Sequence, residues 1–261
     1  MRPPDFPDER SLVPYEASSF SGNRVLVLAP HPDDEVFGCG GALADLVERG
    51  ARVDVVLVTD GAAGARNEGE RGQIASQRLK ESRRALEALG GGTVHEGAIP
   101  DRGAGDRLAE IEALIARSLV EAAPDLVFVP SPVETHPDHR AVAVALFRVA
   151  ARSTPDAAVR ALDAATVAFF ELSQPFRPNF LVDITRVRAR KERAMDAFAS
   201  QAAARDYAGF VRGLSAFRRM TLSADVLAVE AYSVVRGTRL RSDPEGVVRG
   251  LLPLAPAVTG G

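Results

Sequence analysis

The sequence has a single cysteine, Cys39, among its 261 residues, and its only lysines are Lys80 and Lys191. One cysteine excludes an internal disulfide and a zinc site built from several thiolates. Any metal ion would therefore have to be bound by histidine, aspartate or glutamate. We interpret the scarcity of lysine beside abundant arginine as nucleotide bias without functional meaning.

The sequence also lacks a strong charge imbalance and a long apolar run. Its net charge is −3, so no overall basic field exists to attract nucleic acid or an anionic membrane. No window approaches membrane-spanning length, and the polar start, residues 1–22, has no apolar core of a secretion signal. We therefore expect a cytoplasmic protein with neither nucleic acid nor membrane as partner; a homo-oligomer is compatible with the sequence.

Short β-branched segments alternate with amphipathic segments along most of the chain. This alternation predicts an α/β fold of the Rossmann-like type, an open, mostly parallel sheet with helices on both faces. The pattern predicts strands at 24–30, 52–59, 93–99, 126–130, 166–172, 179–184 and in "VLAVEAYSVV", and helices at 38–49, 73–89, 106–122, after Pro137, at 186–204 and at 207–220.

The pattern also predicts the limits of the folded unit. Residues 1–22 contain four prolines and scattered charges, so we expect an extended arm on the surface. Residues 23–251 form the single α/β domain, and the Gly/Pro-rich residues 252–261 are expected to be a flexible tail.

Two polar clusters directly follow predicted buried strands. "HPDDE" at 31–35 follows the first strand, and "HPDH" at 136–139 follows the strand at 126–130. Ligands of such sheets bind beyond the carboxyl ends of the strands, so the clusters would meet there if their strands are neighbours. Together they offer imidazole and carboxylate groups, which suit a catalytic zinc ion with three protein ligands and an open position for water.

The first cluster leaves its ligand open. An extended backbone places His31 with Asp33, whereas a turn favours His31 with Asp34. Adjacent carboxylates point apart, so one can bind the ion while the other remains a base beside the bound water.

In the second cluster, Pro137 suits the first turn of a helix. His136 would then precede the helix and His139 would lie one turn further along the same face. One of the two histidines can bind metal while the other faces the substrate. His95 lies within a strand pattern, so we predict that it is packed or exposed and is not a ligand.

Competing motifs are incomplete. "GCGG" at 38–41 follows a strand, but the third glycine of a dinucleotide-binding G-x-G-x-x-G is missing, so we interpret these glycines as sites of close packing. Cys39 has no evident charge partner that would make it a nucleophile. The sequence contains no G-x-S-x-G motif of a serine hydrolase.

The motifs together resemble those of the zinc-dependent N-acetylglucosaminyl deacetylases, the LmbE-like or PIG-L-like family. "PHPDDE" at 30–35 is similar to the first family motif and "HPDH" at 136–139 to the second. "LVDIT" at 181–185 followed by "SQ" at 200–201 is similar to its C-terminal signature, and "TDG" at 59–61 and "EAY" at 230–232 also fit. Their order along most of the chain makes the resemblance specific.

The resemblance implies a ligand set and a base. His31, Asp34 and His139 would bind the metal, and Asp33 would be the general base that takes a proton from water. Zinc is the expected ion, although iron or cobalt could use the same ligands.

The resemblance also implies roles around the metal. His136 would polarise the amide carbonyl or protonate the leaving amine, and Asp138 would orient a neighbouring imidazole. Arg78 and Asp101 resemble the sugar-contacting positions of the family. Some relatives have a tyrosine just before the second motif, where this chain has Glu134 followed by a threonine.

We therefore expect a metal-dependent hydrolase that removes the N-acetyl group from an N-acetylglucosamine-type sugar or glycoconjugate, giving acetate and a free amine. The substrate would be a small amino-sugar molecule. Two alternatives are an amidase acting on another substrate, such as a sugar-thiol conjugate, and a binding protein that retains the metal without turnover.

Overall fold

The strands form one open, mostly parallel sheet in the computed structural model, which describes residues 8–203 and 205–252. The strands are β1 (Arg24–Ala29), β2 (Arg52–Thr59), β3 (Thr93–Ile99), β4 (Leu126–Pro130), β5 (Thr166–Phe170), β6 (Phe180–Asp183) and β7 (Val229–Arg236). Their order is β3-β2-β1-β4-β5-β7-β6, and β7 runs antiparallel to both neighbours. The predicted α/β sheet is confirmed.

Helices cover both faces of this sheet. They are α1 (Asp34–Glu48), α2 (Glu68–Leu89), α3 (Leu108–Ala122), α4 (Pro137–Ala150), α5 (Ala157–Ala164), α6 (Arg188–Asp196), α7 (Ala199–Ala202), α8 (Tyr207–Arg218), α9 (Thr238–Ser242) and α10 (Pro244–Leu251). In β1, Val25 and Val27 face the core beneath α1, α2 and α6, whereas Leu26 and Leu28 face the core beneath α3, α4 and α5. Each central strand is therefore buried on both faces, as its continuous apolar run requires.

Several helix limits differ from the predicted ones. The helix predicted at 38–49 begins at Asp34, and the one predicted at 73–89 begins at Glu68, where the Asn67 side chain accepts the Glu70 backbone N–H. The prediction of one helix over 186–204 was wrong, because the chain breaks between α6 and α7 and buries Phe198 there. Helices α5, α9 and α10 were not predicted.

Helix α1 lies unusually close to the sheet. A Cβ atom on Gly38 would come 2.4 Å from the Phe170 ring, and one on Gly41 would come 2.6 Å from Ile184. The glycines of "GCGG" therefore allow close packing, as predicted.

A buried ion pair compensates a break within α1. Cys39 leaves the helical conformation, with φ −140°. The Glu230 carboxylate accepts the backbone N–H groups of Gly41 and Ala42 at 2.7 and 2.8 Å, and Lys191 Nζ donates to the same carboxylate at 2.7 Å. The kink is thus stabilised by side chains from α6 and β7.

The described part of the N-terminal arm is attached to the domain. Glu9–Ser11 form a short 3-10 helix, and Ser18 forms a bridge with Val182. Phe20 is buried, with its ring 5.0 Å from that of Phe128, so this part of the predicted surface arm enters the core. Residues 1–7 and 253–261, including nearly all of the predicted tail, lie outside the described residues. None of the helices described combines the length and the apolar composition that a membrane span requires.

Candidate metal site

The two predicted clusters lie side by side at the carboxyl edge of the sheet. Strands β1 and β4 are parallel neighbours, so the segments that follow them leave the sheet at the same edge. His31 and Asp33 lie between β1 and α1, Asp34 begins α1, and His139 lies in the first turn of α4. All four side chains are buried.

Three ligand atoms form a compact triangle. His31 Nδ1 lies 3.1 Å from Asp34 Oδ2 and 3.2 Å from His139 Nε2, and the latter two atoms are 3.3 Å apart. A tetrahedral zinc ion, about 2.0–2.2 Å from each nitrogen or oxygen ligand, places those ligands about 3.3 Å apart. The three atoms therefore already form one face of a tetrahedron and fit such an ion.

The backbone at Asp33 selects Asp34 as the partner of His31. Asp33 has φ 135°, a conformation that residues other than glycine rarely adopt, and the Asp34 N–H donates to the His31 carbonyl at 3.3 Å. The Glu35 carboxylate accepts the Asp33 N–H at 3.0 Å and the Ser82 hydroxyl. The chain thus makes a turn, and of the two arrangements left open by the sequence it adopts the one that joins His31 to Asp34.

Asp33 points to a different partner. Its Oδ2 accepts a hydrogen bond from Arg78 Nη2 at 2.8 Å, and the other terminal nitrogen of Arg78 donates to the Gly61 carbonyl at 2.9 Å. Burial raises the pKa of Asp33 to about 8, although the Arg78 guanidinium opposes this shift. A carboxylate with a pKa near neutrality can both take and release a proton in the working range of an enzyme.

The triangle itself is electrostatically complementary. Burial disfavours the charged form of Asp34, but His139 and His31 hold the pKa of this carboxyl well below its usual range. Burial likewise favours neutral imidazole, yet Asp34 raises the pKa of His139 to about 9. One carboxylate between two imidazoles thus creates a site in which a positive charge is favoured.

Carboxylates also surround the far sides of the two imidazoles. His31 Nε2 lies 3.2 Å from Asp138 Oδ2 and 3.3 Å from Asp101 Oδ1. The nitrogen of His139 that points away from the triangle, Nδ1, lies 3.7 Å from Glu134 Oε2. For His31, the carboxylate beside Nε2 fixes the tautomer and leaves Nδ1 free for a metal ion, whereas His139 Nδ1 has no hydrogen-bond partner among the described residues.

Two wider groups of ligand atoms share the same location. Their members lie within 4.8 Å of one another and bring in His136: they are His31, His136 and His139, and His31, Asp101, His136 and Asp138. The triangle with Asp34 is tighter and has the edge lengths of a tetrahedral site, so it fits a tetrahedral ion better than the two wider groups.

His136 caps the N-terminus of α4 and faces the cavity. Its Nδ1 accepts the Asp138 backbone N–H at 3.2 Å, so in the neutral ring the proton is on Nε2. Burial lowers the pKa of His136. The ring is 4.7 Å from His31 and 5.0 Å from His139, centroid to centroid, which places a neutral N–H donor beside the triangle.

The triangle lies in a cavity of about 860 Å³ that sequence reasoning located only in part. The loops that follow β2 and β3 contribute Gly61, Ala63, Asp101 and Arg102 to its lining. The lining residues that were not predicted include Phe37, Ile74, Gln77, Leu172, Ser173, Pro175, Arg205, Tyr207, Phe210, Val211 and Leu214. Apolar residues at helical spacing in 207–214 were the available signal, but that spacing alone equally predicts a core helix.

Three further residues, Arg78, Asp101 and Glu134, lie beside the two clusters. Arg78 lines the cavity but is buried, with its terminal nitrogens hydrogen-bonded to protein oxygens, including those of Asp33. Asp101 also lines the cavity, beside His31. Glu134 accepts the Leu172 N–H at 2.8 Å and the Ser173 N–H at 3.0 Å, and its Oε2 lies 3.7 Å from His139 Nδ1. Sugar contacts by Arg78 and Asp101 stay predictions.

A buried histidine and carboxylate cluster in a cavity at the carboxyl edge of an α/β sheet is typical of a metal-dependent hydrolase. Residues 26–150 match the family described as PIG-L: GlcNAc-PI de-N-acetylase. The diacetylchitobiose deacetylase of Thermococcus kodakarensis is 30% identical over 187 residues, which span 68% of this chain and 70% of that protein. The chain belongs to the PIG-L family of deacetylases.

Solved structures agree with the fold. N,N'-diacetylchitobiose deacetylase from Pyrococcus horikoshii, in complex with an inhibitor, is 26% identical with a TM-score of 0.71, and the match covers 86% of this chain and 88% of that one. The 4-carboxy-2-hydroxymuconate hydratase GalB from Pseudomonas putida is 22% identical with a TM-score of 0.61, over 81% of this chain and 96% of that one. Because the fold also occurs in a hydratase, function has to be argued from the site.

Proposed function

We propose that this protein is a zinc-dependent N-deacetylase, which hydrolyses the acetamide of an N-acetylglucosamine-type sugar or glycoconjugate to acetate and a free amine. The observation that carries the proposal is the triangle of His31, Asp34 and His139 with edges of 3.1–3.3 Å, beside a separate buried carboxylate on Asp33. Membership of a deacetylase family supports the same reaction.

In this proposal His31 Nδ1, Asp34 Oδ2 and His139 Nε2 hold the ion. A bound zinc ion supplies a Lewis acid that polarises the amide carbonyl and lowers the pKa of water. Asp138 keeps His31 in the tautomer with Nδ1 free, since its carboxylate accepts the proton on Nε2. Iron or cobalt fits the same nitrogen and oxygen donors.

Asp33 transfers the proton in the proposed reaction, and His136 donates a hydrogen bond to the oxyanion. Asp33 takes a proton from the attacking water as the water oxygen bonds to the carbonyl carbon, and Arg78 holds the carboxylate in place during this step. His136 directs its Nε2–H into the cavity, where it stabilises the developing oxyanion. Protonated Asp33 then passes this proton to the amide nitrogen as the carbon–nitrogen bond breaks, and the products are acetate and the amine.

Asp101 is the proposed sugar contact on the cavity wall. One of its oxygens lies beside His31 and the other accepts the Ala63 N–H at 3.2 Å, so the carboxylate is fixed next to the triangle. Ionised carboxylates accept hydrogen bonds from sugar hydroxyls. Arg78 acts in this account through Asp33, because its terminal nitrogens already have protein partners.

The test is acetate release from a panel of N-acetylated sugars and glycosides, with N-acetylated amino acids as the non-sugar control. Metal content is measured on the same protein sample. We expect release from sugars that stops when a chelator removes the metal and resumes when zinc is restored. Release that is unaffected by metal removal, or that occurs only from the amino acids, would contradict the proposal.

A further inference from the structure

One side of the site cavity is apolar. Tyr207, Phe210, Val211 and Leu214 of α8 line the cavity at the spacing of one helix face, and we refer to these four residues as the apolar wall. The triangle, Asp101 and Arg78 provide the polar side of the same cavity. A ligand that fills the cavity therefore meets two chemically different surfaces.

The apolar wall begins close to the reacting groups and extends to the solvent. Phe37 follows Asp34 by one turn of α1, lines the cavity, and has its ring 6.3 Å from that of Tyr207. The exposed fraction rises from 8% at Phe37 to 40% at Tyr207 and 56% at Phe210. Phe37 and the apolar wall together thus form a continuous apolar path from the site to the cavity mouth.

Helix α8 is anchored independently of any ligand. Arg218 at its C-terminal end forms a buried ion pair with Glu171, with Nε 2.9 Å from Oε2. Ser215 Oγ accepts the Val229 N–H of β7 at 2.9 Å. Since the helix is fixed from its other side, the exposure of Tyr207 and Phe210 is a property of the folded protein.

The acetyl group and the sugar ring of the proposed substrate do not need the apolar wall. The acetyl group has only two carbons and its carbonyl must lie at the triangle, while the sugar ring is covered with hydroxyls that suit the polar side. A cavity of about 860 Å³ lies near the upper end of the range, about 300–1,000 Å³, of small-molecule sites. The cavity therefore has room beyond one amino sugar, and that room is bordered by apolar side chains.

We infer that the substrate carries an apolar alkyl or aryl aglycone, which packs against the apolar wall. This inference rests on the proposed deacetylation and specifies its substrate class. The aglycone is attached at C1, next to the C2 carbon that carries the acetamide, so it leaves the sugar ring close to the reacting groups, where Phe37 meets Tyr207 of the apolar wall. The wall thus contacts a part of the substrate that is not cleaved. Removing apolar area from water at the mouth then favours binding of amphiphilic substrates over plain sugars.

The test compares methyl and hexyl N-acetyl-β-glucosaminides as substrates of the zinc-loaded protein. If at least two of the five additional methylenes are buried, kcat/KM for the hexyl glycoside exceeds that for the methyl glycoside about tenfold or more. We expect no increase in kcat/KM for a methyl glycoside that has an N-hexanoyl group in place of the N-acetyl group. Equal kcat/KM for the two acetylated glycosides, or a gain only with the longer N-acyl group, would overturn the inference.

Two phenylalanines of α8 provide a matched pair of variants. Phe210 and Phe217 are 56% and 55% exposed, but only Phe210 lines the cavity. We expect Phe210→Ala to reduce the hexyl-to-methyl ratio of kcat/KM about fivefold or more, and Phe217→Ala to leave the ratio unchanged. If both substitutions reduced the ratio equally, the selectivity would come from apolar surface in general. This result would contradict binding of the aglycone by the apolar wall.

Binding of the corresponding glucosides, which have no amide, separates this inference from the proposed function. Hexyl β-glucoside should bind more tightly than methyl β-glucoside to the wild-type protein, and Phe210→Ala should remove the difference. Selective binding without acetate release from any substrate would contradict the deacetylase proposal alone. Acetate release without selective binding would contradict the apolar wall alone.

Discussion

Asp33 and Asp34 are adjacent in the chain but have opposite surroundings. Asp34 lies between two imidazoles, which hold its pKa well below its usual range despite burial. Asp33 is removed from water beside one guanidinium, and burial raises its pKa to about 8. In the proposed function, these environments suit Asp34 to metal binding and Asp33 to proton transfer.

Replacing Asp33 or Asp34 by asparagine should therefore have different effects on zinc binding and on turnover. We expect Asp33→Asn to retain stoichiometric zinc and to lower kcat about 10²- to 10⁴-fold, the usual contribution of a general base. Asp34→Asn should lose zinc and activity together. Metal analysis and turnover on each purified variant check this prediction, and an active Asp33→Asn enzyme would remove the proposed base.

Asp138 is expected to affect zinc through His31. Replacing its carboxylate by an amide weakens the acceptor beside His31 Nε2, so Asp138→Asn should lower zinc affinity about 10- to 100-fold. Competition with a chromophoric chelator measures the change. Asp106→Asn is the control, because Asp106 is exposed on the short 3-10 helix Ala104–Arg107, and this substitution should leave the affinity as it is. Equal affinities in all three proteins would refute the role of Asp138.

Most residues of the site could be predicted from two short motifs, but residue spacing alone could not give their pairing, which only the family resemblance implied. "HPDDE" and "HPDH" are local signals that follow buried strands, and the residue types specify a nitrogen and oxygen site. The choice between Asp33 and Asp34 depends on φ at Asp33, and Glu35 and Ser82 stabilise that turn from α1 and α2. This contact crosses 47 residues of sequence, so spacing within the motif does not contain it.

At the scale of single elements, α1 depends on an ion pair from two other elements. The kink at Cys39 leaves buried backbone N–H groups of α1 without partners in the helix. The Glu230 carboxylate of β7 accepts hydrogen bonds from these groups, and the Lys191 ammonium of α6 neutralises the negative charge of Glu230. Burying these groups without partners would cost free energy comparable to lost hydrogen bonds. The start of the same helix carries Asp33 and Asp34, so this network also supports the site.

A double-mutant cycle tests the network. Lys191→Met leaves the Glu230 carboxylate buried without its cation, and Glu230→Gln leaves Lys191 without its anion, so each should lower the free energy of unfolding by about 3 kcal/mol or more. The double variant should lose less than the sum of the two.

Chemical unfolding of the four proteins measures these free energies. Lys80→Met replaces the other lysine, which is exposed on α2, and should change the free energy of unfolding by at most about 0.5 kcal/mol. Strictly additive losses would show that Lys191 and Glu230 do not stabilise each other.

Strands were easier to predict than helices and helix ends. The β-branched runs of β1, β2 and β4 are buried on both faces, so composition alone locates them. The region 186–204 has a continuous helical pattern, yet Phe198 is buried in the core that includes Phe37, and the helix ends before it. Tertiary packing of one aromatic residue thus overrides local propensity there.

At the scale of the whole molecule, the proposed metal site joins segments that are distant in sequence. His31 and Asp34 follow β1, whereas His139 lies in the first turn of α4, and the three atoms of the triangle are brought together only in the folded chain. A metal ion that binds the folded state alone stabilises it by mass action. Metal binding and folding are therefore coupled in this account.

Chelation should accordingly lower thermal stability. We expect the metal-free protein to unfold several degrees below the zinc-loaded protein. A free zinc concentration of 1,000 times the Kd adds about 4 kcal/mol to the free energy of unfolding. Calorimetry with and without a chelator measures the shift, and His139→Asn should show little shift under the same treatment. A wild-type protein whose Tm is insensitive to chelation would contradict the coupling.

The overall sheet could be predicted, but the complete cavity could not. Alternation of strands and helices indicates a parallel sheet, while the antiparallel position of β7 between β5 and β6 has no local signal. The apolar residues of α8 have the pattern of an ordinary core-facing helix. Only the tertiary arrangement shows that Tyr207 and Phe210 face a cavity and not the core.

The most direct test of the central claim is a zinc titration of metal-free protein, followed by acetate release from an N-acetylglucosaminide. The account predicts activity that is absent without metal, rises in proportion to added zinc and stops rising at one equivalent per chain. Full activity of the metal-free protein, or an unchanged titration in the His139→Asn variant, would contradict it.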